Sequence, residues 1–263
     1  MNNFGRALAV VMFASLLLVG RAGAVEILEE TTHETFEVEP GASFDISDTD
    51  GSIRIYAADV PEITVSAIKK AYTAERLQAI KVAIAAEPKS VSVSTTFPPT
   101  PSHWSFKDRS GTVEYTVIVP LTTHITKCEL VNGEILVEGL RGGSAKAHLV
   151  NGWMSGHNCF GDLDVSIVNG KLDVAYDWWE NKPFSAKAES MNGTIRALIP
   201  PDASLKITAH SANGHVVNAL PAEDESTPRP TPSQTISLEL GESSDRALQL
   251  SATNGNVRID RAY

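Results

Sequence analysis

An Asn-Gly pair recurs six times along the second half of this 263-residue chain, and no other feature restricts its fold as strongly. The pairs begin at Asn132, Asn151, Asn169, Asn192, Asn213 and Asn254, at steps of 19, 18, 23, 21 and 41 residues. Asp50-Gly51, in TDGSIRI, is a variant of the same unit. Around each pair, apolar and polar positions alternate, as strands with one buried face require. Four residues ahead of each Asn stand Cys128, Ala147, Val165, Ala188, Ala209 and Leu250. Two after each Gly stand Ile135, Met154, Leu172, Ile195, Val216 and Val257.

One Asn-Gly hairpin would explain one unit. Near-equal units without return strands of their own are better explained by stacked coils, each too small to bury its apolar face alone. The expectation is an all-β, single-stranded parallel β-solenoid of ~20-residue coils, neighbouring strands ~4.8 Å apart. Right-handed winding is the default for parallel crossovers. Asn tolerates and Gly readily accepts left-handed backbone, so each pair makes a corner. Stacked Asn132, Asn151, Asn169, Asn192, Asn213 and Asn254 can pass amide hydrogen bonds from coil to coil. A leucine-rich repeat also sets Asn at a corner, but AKAHLVNG lacks its L-x-x-L-x-L rhythm.

Three segments follow. Arg6, the apolar run Ala7 to Val19 and Ala22-Gly23-Ala24 read as a signal peptide over residues 1–24, too short for a membrane anchor. Residues 25–119 form an irregular N-terminal part of the solenoid. There Phe44 and Ile46 match the inward columns, a short helix is capped at Thr73, and a hairpin surrounds EPKS. Residues 120–263 are the regular repeat, with a Pro- and acid-rich loop insert at 221–233.

Residues 1–24 carry two arginines and no acid, so the remainder holds 20 basic against 32 acidic residues, a net charge of −12. Such a surface repels nucleic acid and anionic headgroups. With the signal removed, no transmembrane anchor is expected.

The segments EYTVIVPLTTHITKCELVNGEILVEGLRGGSAKAHLVNG and ALIPPDASLKITAHSANGHV resemble the exported bacterial "putative adhesin" family, a domain of unknown function built from β-strand repeats. Each gives a strand ending in Pro, a polar stretch, an alternating strand and the Asn-Gly corner. The resemblance covers most of residues 35–260 and implies a β-solenoid in an envelope or surface setting. It supplies no catalytic residues.

No catalytic, cofactor or metal site is expected. His148 and His210 share an outward column with Glu129 and Glu189, but Zn needs three or four converging ligands. Solvated pairs Glu129–His148 and Glu189–His210 are the plainer reading. Asp162, Asp164, Asp173 and Asp177 could pair as acid and base on a polysaccharide. However, Asp164 falls between Lys146 and Lys187, which reads as an ion-pair ladder.

Trp178 and Trp179, where Asp177 to Pro183 lengthens a unit, can form a ligand platform or fold back over the wall. Trp153 and then Trp104 are further platform candidates. Cys128 suits an inward free thiol; a bridge to Cys159 requires alpha carbons within ~7 Å. Asn192-Gly-Thr matches a glycosylation sequon but belongs to the corner column.

The function expected is therefore a non-enzymatic, adhesin-like protein of the envelope or cell surface, presenting a wall to a glycan or an envelope protein. The alternatives are a polysaccharide-active lyase or hydrolase, and a partner in envelope-stress signalling.

Overall fold

The structure, a computed structural model, describes residues 27–99, 110–220, 233–242 and 245–262. The expected signal peptide, Trp104 and nearly all of the 221–233 insert lie outside these residues. The described residues are all-β, with one six-residue helix and a mixed 15-stranded sheet.

Four long strands run straight through their Asn-Gly pairs: β7 (His124–Glu138), β8 (Arg141–His157), β9 (Phe160–Ala175) and β10 (Phe184–Ile199). They pair in parallel with matched Asn, Gly and apolar positions, each making one rung. In β8, Ala147 and Leu149 point inward before the pair and Met154 after it. Leu149 and Met154 are an odd number of residues apart, so the strict alternation of a straight strand is broken at the pair.

Gly133, Gly152, Gly170, Gly193 and Gly255 have φ between +137° and +151°. A Cβ on Gly152 would also strike the Gly133 carbonyl oxygen of the rung below, and one on Gly170 the Gly152 oxygen. Conformation and close approach both demand glycine.

β2 (Ser43–Ala58) places Asp50-Gly51 directly against Asn132-Gly133, so the variant unit is the first rung. Asn132 donates to Asp50 at 2.8 Å, Asn151 to Asn132 at 2.9 Å, Asn169 to Asn151 at 2.9 Å and Asn192 to Asn169 at 2.9 Å. Every amide donates toward the N-terminal end. The terminal group must then accept only, as the Asp50 carboxylate does.

The expectation of a purely parallel stack is corrected at both ends. On its outer side, the two halves of β2 pair with different strands, β5 (Ser90–Thr96) and β6 (Thr112–Pro120). β5 pairs antiparallel with β4 (Lys81–Glu87) in a hairpin. β6 pairs antiparallel with β3 (Glu62–Ala71), and β3 with β1 (Leu28–Glu37). The helix α1 (Ala74–Ala79) follows β3, its N-cap Thr73 accepting from the Arg76 N–H at 3.2 Å. These returns occupy a sheet edge that would otherwise leave β2 unpaired.

At the far end, β11 (Leu205–Asn213) and β12 (Val216–Asn218) are not beside β10. The last strands of the chain, β14 (Arg246–Asn254) and β15 (Val257–Arg261), lie between them. Asn254 therefore donates to Asn192, and Asn213 to Asn254, each at 2.9 Å. β13 (Thr235–Leu240) covers the outer side of β11 antiparallel.

The expected facing of Glu189 and His210 is overturned, because Ser251 stands between them. Residues 200–204 cross two strand spacings, about 10 Å, within reach of five extended residues.

The core is a continuous interior of Ile, Val, Leu, Ala and Phe side chains from every rung. Asp48, 6 % exposed, is a buried carboxylate in a column where the next three rungs place Leu130, Leu149 and Ile167. No helix among the described residues is long and apolar enough to cross a membrane.

Candidate functional site: a tryptophan-edged cleft

The 23-residue step between Asn169 and Asn192 is long because residues 177–183 leave the sheet between β9 and β10. Tyr176 keeps the rung, its N–H donating to the Leu198 carbonyl at 3.0 Å. Beyond it the two tryptophans part.

Trp179 turns inward against Tyr176, Phe184 and Phe160, with ring centroids 5.7, 5.6 and 6.0 Å away. Trp178 turns outward, 44 % exposed, with its ring 6.5 Å from Phe160. The pair therefore does not form a shared platform. One ring belongs to the packed cluster, and the other is presented by it.

Trp178 borders a cleft of about 330 Å³ that also takes in Tyr56, Asp59, Glu138 and Arg141. These come from β2, from the turn after it, from β7 and from the start of β8, so parallel stacking is what gathers them. Arg141 forms an ion pair with Glu180 at 2.8 Å, tying β8 to the loop that carries Trp178.

The start of that loop is held as well. Asn158, at φ 51°, accepts the Asp177 N–H at 2.8 Å. His157 lies 2.9 Å from Asp177 and 3.5 Å from Glu138. An aromatic face beside carboxylates, a phenol and a guanidinium can stack on an apolar ring face and hydrogen-bond its polar edge.

The other sequence candidates fall elsewhere. Trp153, 38 % exposed, donates its indole N–H to Asp173 at 2.7 Å, in the strand segments that follow the Asn-Gly pairs. Asp164 lies between Lys146 and Lys187, though Lys187 makes its 3.0 Å ion pair with Glu189. That pairing raises the Lys187 pKa. Asp162 and Asp164 precede Asn169-Gly170, whereas Asp173 bonds Trp153 and Asp177 bonds His157, so the four aspartates do not converge.

Glu129 faces His148, whose Nδ1 is 2.9 Å from the Ser166 hydroxyl. No group of three His, Cys, Asp or Glu among the described residues is placed to hold a metal ion. Cys128 and Cys159 are buried free thiols. Burial raises both, Cys159 to about 11, which keeps them as poor nucleophiles.

Sequence reasoning missed Tyr56, Asp59, Glu138 and Arg141. Arg141 begins RGGS, directly before the repeat strand, and nothing local separates it from an ordinary solvated arginine.

Neither a protein-family model nor a curated protein matches the chain. Among solved structures, it is similar to a "putative cell adhesion protein" from Clostridium sporogenes, at 16 % identity and a TM-score of 0.52. That alignment covers 88 % of this chain and 99 % of the other. A "putative adhesin" from Bacteroides fragilis matches at 9 % identity and a TM-score of 0.31, over 88 % of this chain and 96 % of the other. At such identities the likeness is one of architecture, and the chain shares the fold of the clostridial protein along nearly its whole length.

Proposed function

We propose that this chain is an exported, non-enzymatic, adhesin-like protein of the bacterial envelope or surface. In this reading its rungs wind as a right-handed β-solenoid, and a glycan docks on the wall through the cleft at Trp178. The observation that carries the proposal is the outward Trp178 ring, backed by Phe160 and bordered by Tyr56, Glu138 and Arg141. A tryptophan left in water while its neighbour is packed loses burial energy, and such surfaces mark contact sites. The likeness in fold to a protein described as a cell adhesion protein agrees with this reading.

The test is a glycan array followed by calorimetric titration of the best oligosaccharide. Trp178→Ala should weaken binding at least tenfold and leave the melting temperature within a few degrees. Undiminished binding by that variant would remove the cleft from the proposal. Polysaccharide turnover lost in Asp164→Ala or Asp173→Ala would replace adhesion with catalysis.

A further inference from the structure

Because β15 lies against β10, Arg196 and Arg258 are direct partners on adjacent strands. Like charges placed opposite one another destabilise a sheet. Asp260 relieves the clash: its side chain, 9 % exposed, accepts from Arg196 Nε at 2.7 Å and from Arg258 Nε at 2.7 and 2.9 Å. Both arginines use Nε, and about half of each side chain remains exposed to solvent. Among the described residues, the terminal nitrogens of neither guanidinium have a protein acceptor. Arg261 joins them around a cleft of about 550 Å³, closed by Pro201 and Ala219.

Arg196 and Arg258 thus share a single carboxylate, and Arg261 lines the same cleft. The next rung offers Asp173 opposite Arg196, but Asp173 already accepts from Trp153. Counting it still leaves an excess of positive charge, in a chain whose net charge is −10. An ion pair serving stability alone needs one arginine for Asp260. The second and third cost repulsion unless an anion completes the set.

We infer that the cleft formed by Arg196, Arg258 and Arg261 binds an oxyanion, a carboxylate or phosphate group borne by a small ligand or by an acidic sugar. Asp260 fixes the two guanidinium planes from behind, so their outer N–H groups converge on the ligand, the fork geometry that suits carboxylate and phosphate. This site shares no residue with the Trp178 cleft and does not depend on it.

Titration calorimetry of the whole chain with inorganic phosphate and with trigalacturonate tests the site. Wild-type protein should bind at least one probe saturably, weakening as salt rises. The double variant Arg196→Gln/Arg258→Gln should lose at least tenfold in affinity. Arg261→Gln, which does not touch Asp260, should lose several-fold with an unchanged melting temperature, and it decides the matter if the double variant fails to fold. Trp178→Ala should bind inorganic phosphate as wild type does, which separates this site from the proposed glycan cleft. Tighter binding of trigalacturonate than of phosphate points to an acidic glycan, and the reverse to a free anion. Absence of saturable binding by wild type, or undiminished affinity in Arg261→Gln, overturns the inference.

Discussion

Asn254 donates its side-chain amide to Asn192 at 2.9 Å although 62 residues separate them, while Asn213, nearer in sequence to Asn192, stands one rung farther away. The C-terminal strands therefore complete the interior of the stack. Cutting the chain after residue 242 should expose Ala188 and Ile195, now buried beneath Leu250 and Val257. Amide exchange should then show loss of protection in β10 and β11, with β7 and β8 still protected.

Within the ladder, replacing Asn169 by Ala removes both an accepted and a donated bond, to Asn192 and Asn151. Each exposed amide bond contributes about 1 kcal/mol, so a loss of roughly 1–2 kcal/mol is expected in urea unfolding. Asn213→Ala, at the end of the chain of bonds, removes only one and should cost about half as much.

The positive-φ glycines of the Asn-Gly pairs should be far less tolerant. Gly152→Ala puts a methyl group into the Gly133 carbonyl oxygen at a φ of +137°, and the rungs cannot separate without breaking their hydrogen bonds. A loss above about 4 kcal/mol, seen as failure to accumulate folded protein, is expected. Gly142→Ala is the control: at φ +78° a Cβ there meets nothing within 4 Å, so only the backbone cost of about 1–2 kcal/mol applies.

Asp48 should give the protein a distinctive pH response. Burial raises its carboxyl from 3.8 to about 7, against hydrogen bonds from Thr49 and Thr95 that lower it, and Asp50 adds a smaller upward push. Below pH 4 both folded and unfolded chains hold this proton, and the group contributes nothing. Between about pH 4 and 7 only the folded chain keeps it, so stability falls as pH rises and the loss is complete above 7. Three pH units correspond to roughly 4 kcal/mol at most. Asp48→Asn should therefore raise the melting temperature clearly at pH 8 and little at pH 4. Equal gains at both would assign the effect to packing.

Trp179→Ala should behave opposite to Trp178→Ala. Removing the packed ring leaves a cavity among Phe160, Tyr176 and Phe184, at a cost of about 3–5 kcal/mol in chemical denaturation.

The positive-φ glycines and the buried columns were legible in the amino-acid order because their causes are local. A left-handed, close-packed position admits glycine, and alternation marks which side chains face inward, wherever the rest of the chain lies. Cys128, Val165, Ile195 and Val257 are buried for that reason.

The order of the rungs was not legible. Whether Asn254 or Asn213 follows Asn192 depends on closing loops of tens of residues, whose entropic cost changes little with length and leaves no periodic trace. The separation of Trp178 from Trp179 hinged likewise on Phe160 and Phe184, from different rungs. The partnership of Arg196 with Arg258 exists only because β15 took the place beside β10. Residue type thus determined the shape of each unit, and long-range strand pairing decided which units meet.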